Sequence, residues 1–369
     1  MKPTGLLIPA VLLCVTTSVL RAGDALPLFS WDHVPVYAHV GKRSGDFTPR
    51  ELDFLAKHFD FITIEKAQAI QKYGNTEAGF AVAAREIKKR NPKAKVLFYW
   101  NASLAYFGLY QAMRTFPADG LLRDSKGRLV LRRNKVPNYD LTRQDVRDWW
   151  SDVAAKAVHE YGADGIFADA MGQRKDGLDA KKVAALVAAR VAMLEETRRK
   201  IGPDKLIIYN GLMRDDPKKL LRFADGAMIE SFCHPKYGNS KEELTAYFEA
   251  TRAAANDGKI VILKGWPGFS FRQKEMMQKP YAELARLAKE RITFPLACFL
   301  ITAERNCYFC YSWGYREKHG TFEWYPEFDK PLGPPLGEAK RNGWIYHRDF
   351  AHASVTVNLE TRTARIDWK

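Results

Sequence analysis

Eight short, almost uninterrupted apolar runs recur along the chain, each separated from the next by a longer stretch of amphipathic or helix-capping character. They fall at residues 34–40, 59–65, 95–101, 162–169, 205–210, 226–232, 259–266 and 298–304. A strand wetted on one face alternates polar and apolar residues; these runs do not, so each is expected to be covered on both faces. Parallel strands interleaved with helices meet that condition, and eight repeats predict an α/β fold of the closed (β/α)8 barrel, or TIM barrel, kind. A doubly wound open sheet is the alternative, but no Gly-x-Gly-x-x-Gly turn follows any run. Helix starts stand where the scheme needs them. Thr48-Pro-Arg-Glu51 and Ser240-Lys-Glu-Glu243 are both capping boxes, the first with proline at the first helical position. Residues 180–200 carry a long helical period rich in Ala, Leu and Val.

Two segments depart from the repeat. Residues 102–141 form a long excursion after the third run, and within it 120–131 reads as a β-hairpin turning at Asp124 to Gly127. On the C-terminal side of a barrel strand, such an excursion is expected to wall the active site. Near the end, 353–359 and 363–368 alternate with period two around Glu360-Thr-Arg362, predicting a small C-terminal β-hairpin packed on the barrel. The expected division is a signal peptide at 1–25, the barrel at 26–343 and the hairpin at 344–369.

The leader assignment rests on Lys2, an apolar stretch at 5–19 and small-residue cleavage sites ending at Ala22 and Ala25. The apolar stretch is too short to span a bilayer, so a secreted or periplasmic protein with no stable membrane insertion is expected. Cys307-Tyr-Phe-Cys310 has the spacing of half a zinc site, yet no second pair or histidine set matches it; a buried thiol pair or local disulfide is the simpler reading. No metal and no organic cofactor is called for. The net charge of +15 attracts polyanions, which leaves an acidic polysaccharide open as a minority alternative. The basic residues are scattered over many helices without a nucleic-acid motif, so no nucleic-acid partner is expected.

The reaction face of such a barrel is built from the C-terminal ends of its strands. Reading the runs to their ends collects Tyr37 and His39, Glu65, Trp100 and Asn101, Asp169, Asn210, Glu230, Lys264 and Trp266, and Glu304. Asp169 ends Gly162-Ala-Asp-Gly-Ile-Phe-Ala-Asp169 and Glu230 ends Gly226-Ala-Met-Ile-Glu230. A carboxylate at the end of a buried strand needs a polar cleft to open onto, and two carboxylates across one cleft are the equipment of glycoside hydrolysis. Strand alternation puts Asp169 on the face of Phe167 and sends Asp164 to the other, where a turn role at the barrel bottom suits it. Glu65, Trp100, Asn101, Asp140, Asn210, Lys264, Trp266 and Glu304 are the candidate substrate-binding residues. Trp100, Trp266 and Tyr311 are equally candidates for core, and Asp140 for a turn. His234 is a further cleft candidate.

Several of these stretches together resemble a known family. Phe61-Ile-Thr-Ile-Glu65, Val96-Leu-Phe-Tyr-Trp-Asn101, Tyr139-Asp-Leu-Thr142 leading to Val146-Arg-Asp-Trp-Trp150, and Asp164-Gly-Ile-Phe-Ala-Asp169 are similar to hypothetical glycosyl hydrolase family 15. That group stands near the α-galactosidase and endo-α-galactosaminidase barrels. The resemblance implies a nucleophile at the end of the fourth strand and an acid/base at the end of the sixth, the places of Asp169 and Glu230. The expected protein is a glycoside hydrolase acting on a poly- or oligosaccharide with retention, Asp169 attacking while Glu230, flanked by Met228 and Phe232, protonates the leaving oxygen. The rivals are a non-catalytic carbohydrate-binding protein on the same barrel and a polyanion-binding surface protein driven by charge alone.

Overall fold

The computed structural model describes residues 26–172, 177–213, 217–236 and 239–369. The expected leader at 1–25 lies outside them. Eight parallel strands stand in sequential order: β1 (Ala38–Val40), β2 (Phe61–Ile64), β3 (Lys95–Asn101), β4 (Gly165–Asp169), β5 (Leu206–Asn210), β6 (Gly226–Ile229), β7 (Ile260–Gly265) and β8 (Cys307–Tyr311). The ring is joined by a parallel bridge between Val36 and Phe309, with Tyr37 N donating to Phe309 O and Phe309 N to Pro35 O, both at 2.8 Å. The helices of ten residues or more are α1 (Pro49–His58), α2 (Thr76–Arg90), α3 (Gln144–His159), α4 (Ala180–Ile201), α5 (Lys241–Asn256), α6 (Tyr281–Glu290) and α7 (Thr293–Thr302). Both expected capping boxes form, at Thr48 and at Ser240.

The eighth strand is not the one expected. Residues 298–304 belong mostly to α7, and the true β8 follows at Cys307. The sequence Thr-Phe-Pro-Leu-Ala-Cys-Phe-Leu-Ile-Thr of α7 is apolar all round because the helix is covered on one side by the barrel and on the other by a C-terminal sheet. An apolar run with no polar face carries no period, so helix and buried strand read alike. Cys307 and Cys310 consequently lie in β8, three residues apart and on opposite faces. Cys307 packs outward and Cys310 packs inside the barrel, which rules out a bridge between them.

The terminal hairpin, Ala353–Asn358 with Thr363–Trp368, is present but forms half of a larger sheet. Four antiparallel strands, β9 (Lys340–Asn342), β10 (Ile345–Asp349), β11 (Ala353–Asn358) and β12 (Thr363–Trp368), pack against α7. Arg348, buried at 2% exposure, fastens this sheet to the barrel. Its guanidinium donates to the carbonyls of Leu300, Ile301 and Ala303 at 3.3, 3.4 and 2.5 Å, the open C-terminus of α7, and to Glu304 Oε1 at 2.8 Å.

Alternation divides the strand residues into two cores. Tyr37, Phe61, Leu97, Tyr99, Phe167, Ile208, Met228, Ile262, Tyr308 and Cys310 fill the barrel interior, while their neighbours face the helices. Two glycines allow strands to close up at the bottom. A Cβ on Gly165 would stand 2.0 Å from Leu206 O, and one on Gly226 would stand 2.2 Å from Ile260 O. The bottom opening is stoppered by Leu26 and Phe29, and the Tyr308 hydroxyl lies 3.2 Å from the carbonyls of both Pro27 and Leu28. Among the described residues no helix is long and apolar enough to cross a membrane.

Candidate active site

The C-terminal strand ends open into a cavity of about 1190 Å3. Three carboxylates, Glu65, Asp169 and Glu230, are among its described lining residues. β4 ends on Asp169 with its side chain inward, and the next residue, Ala170, takes a left-handed backbone (φ 60°). That conformation is costly for a residue with a Cβ; the Ser103 hydroxyl donates to Ala170 O at 2.7 Å and helps to hold it. Tyr99 donates its hydroxyl to Asp169 Oδ2, Asn101 donates Nδ2 to the same oxygen at 3.1 Å, and Asn210 donates Nδ2 to Oδ1 at 2.9 Å. Three donors on one carboxyl hold it in a single orientation.

Glu230 follows β6 directly and meets the same amide. Asn210 Nδ2 lies 3.0 Å from Glu230 Oε2, and the Tyr315 hydroxyl donates to Oε1 at 2.7 Å. The orientation of the Asn210 amide follows from this pair, since an oxygen in place of Nδ2 would face two carboxylates. The main chain of Glu230 is held as well, by the Trp266 indole donating to its carbonyl at 2.8 Å. Burial first, and the adjacent carboxylate second, push Tyr99 and Tyr315 well above the ordinary phenol range, so both remain donors.

Glu65 sits across the floor, bonded to His39 Nε2 at 2.7 Å and ion-paired with Lys66. Burial acts to raise its pKa, but the Lys66 ammonium and the His39 hydrogen bond outweigh it and hold the group at about 2. Lys66 reaches the Glu65 carboxylate although it is the next residue along the chain. β2 ends at Ile64, so strand alternation no longer governs 65 and 66.

Of the ten expected site residues, Asp169, Glu230, Glu65 and Asn210 line the cavity, and Asn101 stands buried behind Asp169. The other five do neither. Trp100 faces outward from β3, stacked near Trp150 and donating Nε1 to Trp150 O at 3.2 Å. Asp140 accepts from the Thr142 hydroxyl at 2.6 Å and from Lys182 Nζ at 2.8 Å, a turn and helix-start role. Glu304 lies at the opposite end, bound to Arg348. Lys264 is fully buried beneath the site, its ammonium on the carbonyls of Gly265 and Ser312 at 3.1 and 2.5 Å and 4.2 Å from the Trp266 ring centre. Burial drops its pKa to about 8, with Cys310 and Glu230 opposing. Trp266 is likewise covered and acts on Glu230 through the main chain. Tyr311 is core, bonded to Ala288 O at 2.9 Å. Asp164 has the bottom role expected, accepting from Val96 N and Lys88 Nζ, both at 2.9 Å.

His234 does line the cavity. The residues that strand-end reading missed are Tyr99, Lys66 and Tyr315. Tyr99 was accessible, because it shares the inward face of Asn101 two positions earlier. Tyr315 was not, because it follows β8, whose position the reading had displaced.

The excursion walls the cavity as expected. Its hairpin turn at Asp124–Gly127 closes on the Asp124 carboxylate, which accepts from Lys126 N and Arg128 N at 2.9 Å. A second ribbon pairs Leu131–Arg132 with Val136–Pro137 at the cavity rim.

Solved structures with this fold confirm the architecture. A maltogenic α-amylase from Thermotoga neapolitana aligns with a TM-score of 0.51 at 11% identity, covering 89% of this chain and 86% of that one. The galactosidase domain of the α-galactosidase–sucrose kinase AgaSK aligns with a TM-score of 0.51 at 12% identity, covering 88% of this chain and 46% of that one. No curated protein matches the chain in sequence. The profile of hypothetical glycosyl hydrolase family 15 matches residues 88–354, from the end of α2 to the C-terminal sheet, and the chain belongs to that family.

Proposed function

We propose that this protein is a secreted, retaining glycoside hydrolase in which Asp169 is the nucleophile and Glu230 the general acid/base. The observation that carries the reading is the shared Asn210 nitrogen, which fixes Asp169 Oδ1 and Glu230 Oε2 no more than about 6 Å apart at the floor of one cavity. Retaining enzymes hold their two carboxyls at roughly 5–5.5 Å and inverting ones at roughly 6.5–9.5 Å, so the spacing favours a covalent route. Glu230 in its acid form protonates the glycosidic oxygen as Asp169 attacks the anomeric carbon. Water then displaces the sugar from Asp169, with Glu230 taking the water's proton. Tyr99, Asn101 and Asn210 hold the attacking carboxylate in one orientation throughout. Secretion is supported by the leader-like sequence at 1–25.

The test is reducing-sugar release from a panel of plant, algal and bacterial polysaccharides. Wild type should act on at least one, and Asp169→Ala should lose on the order of 10³-fold or more in kcat while still binding that substrate. A wild-type protein that binds glycan and releases nothing would make it a carbohydrate-binding protein instead.

A further inference from the structure

The cavity holds far more positive charge in its walls than negative charge in its floor. Among the described residues, nine lysines and arginines line it against three carboxylates. Those three are already engaged: Glu65 by His39 and Lys66, Asp169 by Tyr99, Asn101 and Asn210, and Glu230 by Asn210 and Tyr315. Lys66 is thereby used. Arg133, Lys135, Arg316 and Lys318, by contrast, make no side-chain hydrogen bond or ion pair among the described residues.

Two separate loops bring these four to one opening. Arg133 and Asn134, both with positive φ (51° and 54°), and Lys135 make the three-residue turn between Leu131–Arg132 and Val136–Pro137. Arginine is an unusual occupant of that conformation. Arg316 precedes the turn Glu317–His319 just beyond β8, and Lys318 lies within it. The outer helices show a different pattern, with cations paired to acids in Arg90–Glu86, Lys200–Asp152 and Arg286–Glu290. His234 and His319 also line the cavity. Both are lowered to about 4, first by burial and then by neighbouring cations, Arg272 foremost for one and Arg316 and Lys318 for the other.

We propose that the substrate of this site is an anionic glycan, whose carboxylate or sulfate groups on sugars flanking the scissile bond are met by Arg133 and Lys135 from one wall and Arg316 and Lys318 from the other. The inference rests on the glycoside hydrolase reading for its chemistry and on the wall charges for its specificity. Guanidinium groups pair with carboxylate and sulfate through two parallel hydrogen bonds, and a concave site lined by one sign of charge concentrates the opposite one.

The experiment uses the full chain with polygalacturonate, hyaluronate and a sulfated galactan, each beside its carboxyl-reduced or desulfated neutral form. Calorimetry reads affinity, and reducing-end release reads cleavage. An anionic member should bind about tenfold or more tighter than its neutral form. The variant Arg133→Ala/Lys135→Ala/Arg316→Ala/Lys318→Ala should lose that preference. A charge-matched variant at the other end of the barrel, Lys57→Ala/Lys89→Ala/Arg199→Ala/Arg305→Ala, should keep it. Which pair shows the preference separates carboxylate from sulfate. Equal affinity for both members of every pair, equal loss in both variants, or cleft-dependent binding of duplex DNA as tight as any glycan overturns the proposal. Anionic binding at the cleft without cleavage sinks the hydrolase reading and leaves the anion site standing; equal cleavage of neutral forms does the reverse.

Discussion

Asp169 and Glu230, at the ends of β4 and β6 on either side of β5, accept hydrogen bonds from the same nitrogen of Asn210, at 2.9 and 3.0 Å. Two acids held this way are kept at one separation, and neither can swing away without breaking a bond. Asn210→Ala should therefore cost roughly 10²-fold in kcat, in the range seen when one preorganised donor is removed from a reacting centre. Asn210→Asp should cost more, because a third carboxylate repels the other two. Steady-state kinetics on protein with wild-type circular dichroism checks both, and an Asn210→Ala enzyme within threefold of wild type would refute the clamp.

The separation makes a stereochemical prediction. With a substrate found by the polysaccharide panel, the first product seen by proton NMR should keep the anomeric configuration of the bond cleaved. Appearance of the opposite anomer first would assign inversion and demote Asp169 from nucleophile to base.

Glu65 makes the protein acid-sensitive in a defined window. Its folded pKa of about 2 lies below the ordinary 4.5, so the carboxylate form is favoured by folding. The stabilisation is fully present above about pH 4.5 and is lost as pH falls towards 2, an effect on the order of 3 kcal/mol. Thermal midpoints measured from pH 6 to pH 2 should fall less steeply for Glu65→Gln than for wild type. Parallel curves would show that the His39–Glu65–Lys66 cluster carries no such linkage.

Arg348 and Glu304 should affect stability rather than turnover. Arg348→Ala exposes three buried carbonyls at the end of α7 and leaves Glu304 unpaired, which should cost about 3–5 kcal/mol in chemical denaturation. Glu304→Gln should leave kcat/KM unchanged at temperatures where the protein is folded. A large drop in kcat/KM for a folded Glu304→Gln protein would return this residue to the reaction face, against its position in the structure.

Much of the barrel is legible because a parallel strand buried on both faces leaves an apolar run, and seven such runs mark seven true strands. The eighth failed at α7, where Phe294, Leu296, Phe299 and Leu300 present no wet side and mimic a strand. The two acids were legible from their place at strand ends, since Asp169 and Glu230 terminate apolar runs. What strand ends cannot show is side-chain direction past the last paired residue. Trp100 and Asn101 are neighbours, yet one faces α3 and the other Asp169. Lys264 and Trp266 stop below the cavity because Tyr315 and His234 cover them, and those come from loops with no periodic signal. The cluster of Glu65 with Lys66 depends on where β2 stops pairing, a fact of register and not of composition.

The stopper made by Leu26 and Phe29 has a consequence for how the molecule is assembled. The carbonyls of Pro27 and Leu28 within it meet the Tyr308 hydroxyl across 281 and 280 positions of chain, so residues 26–29 find their seat only after all eight barrel strands have been made. A shortened version starting at Asp32 would keep every strand and every reacting group, yet leave an uncapped, water-accessible shaft under Phe61 and Tyr308. The architecture is thus finished from beneath by residues 26–29, which belong to none of the eight repeats.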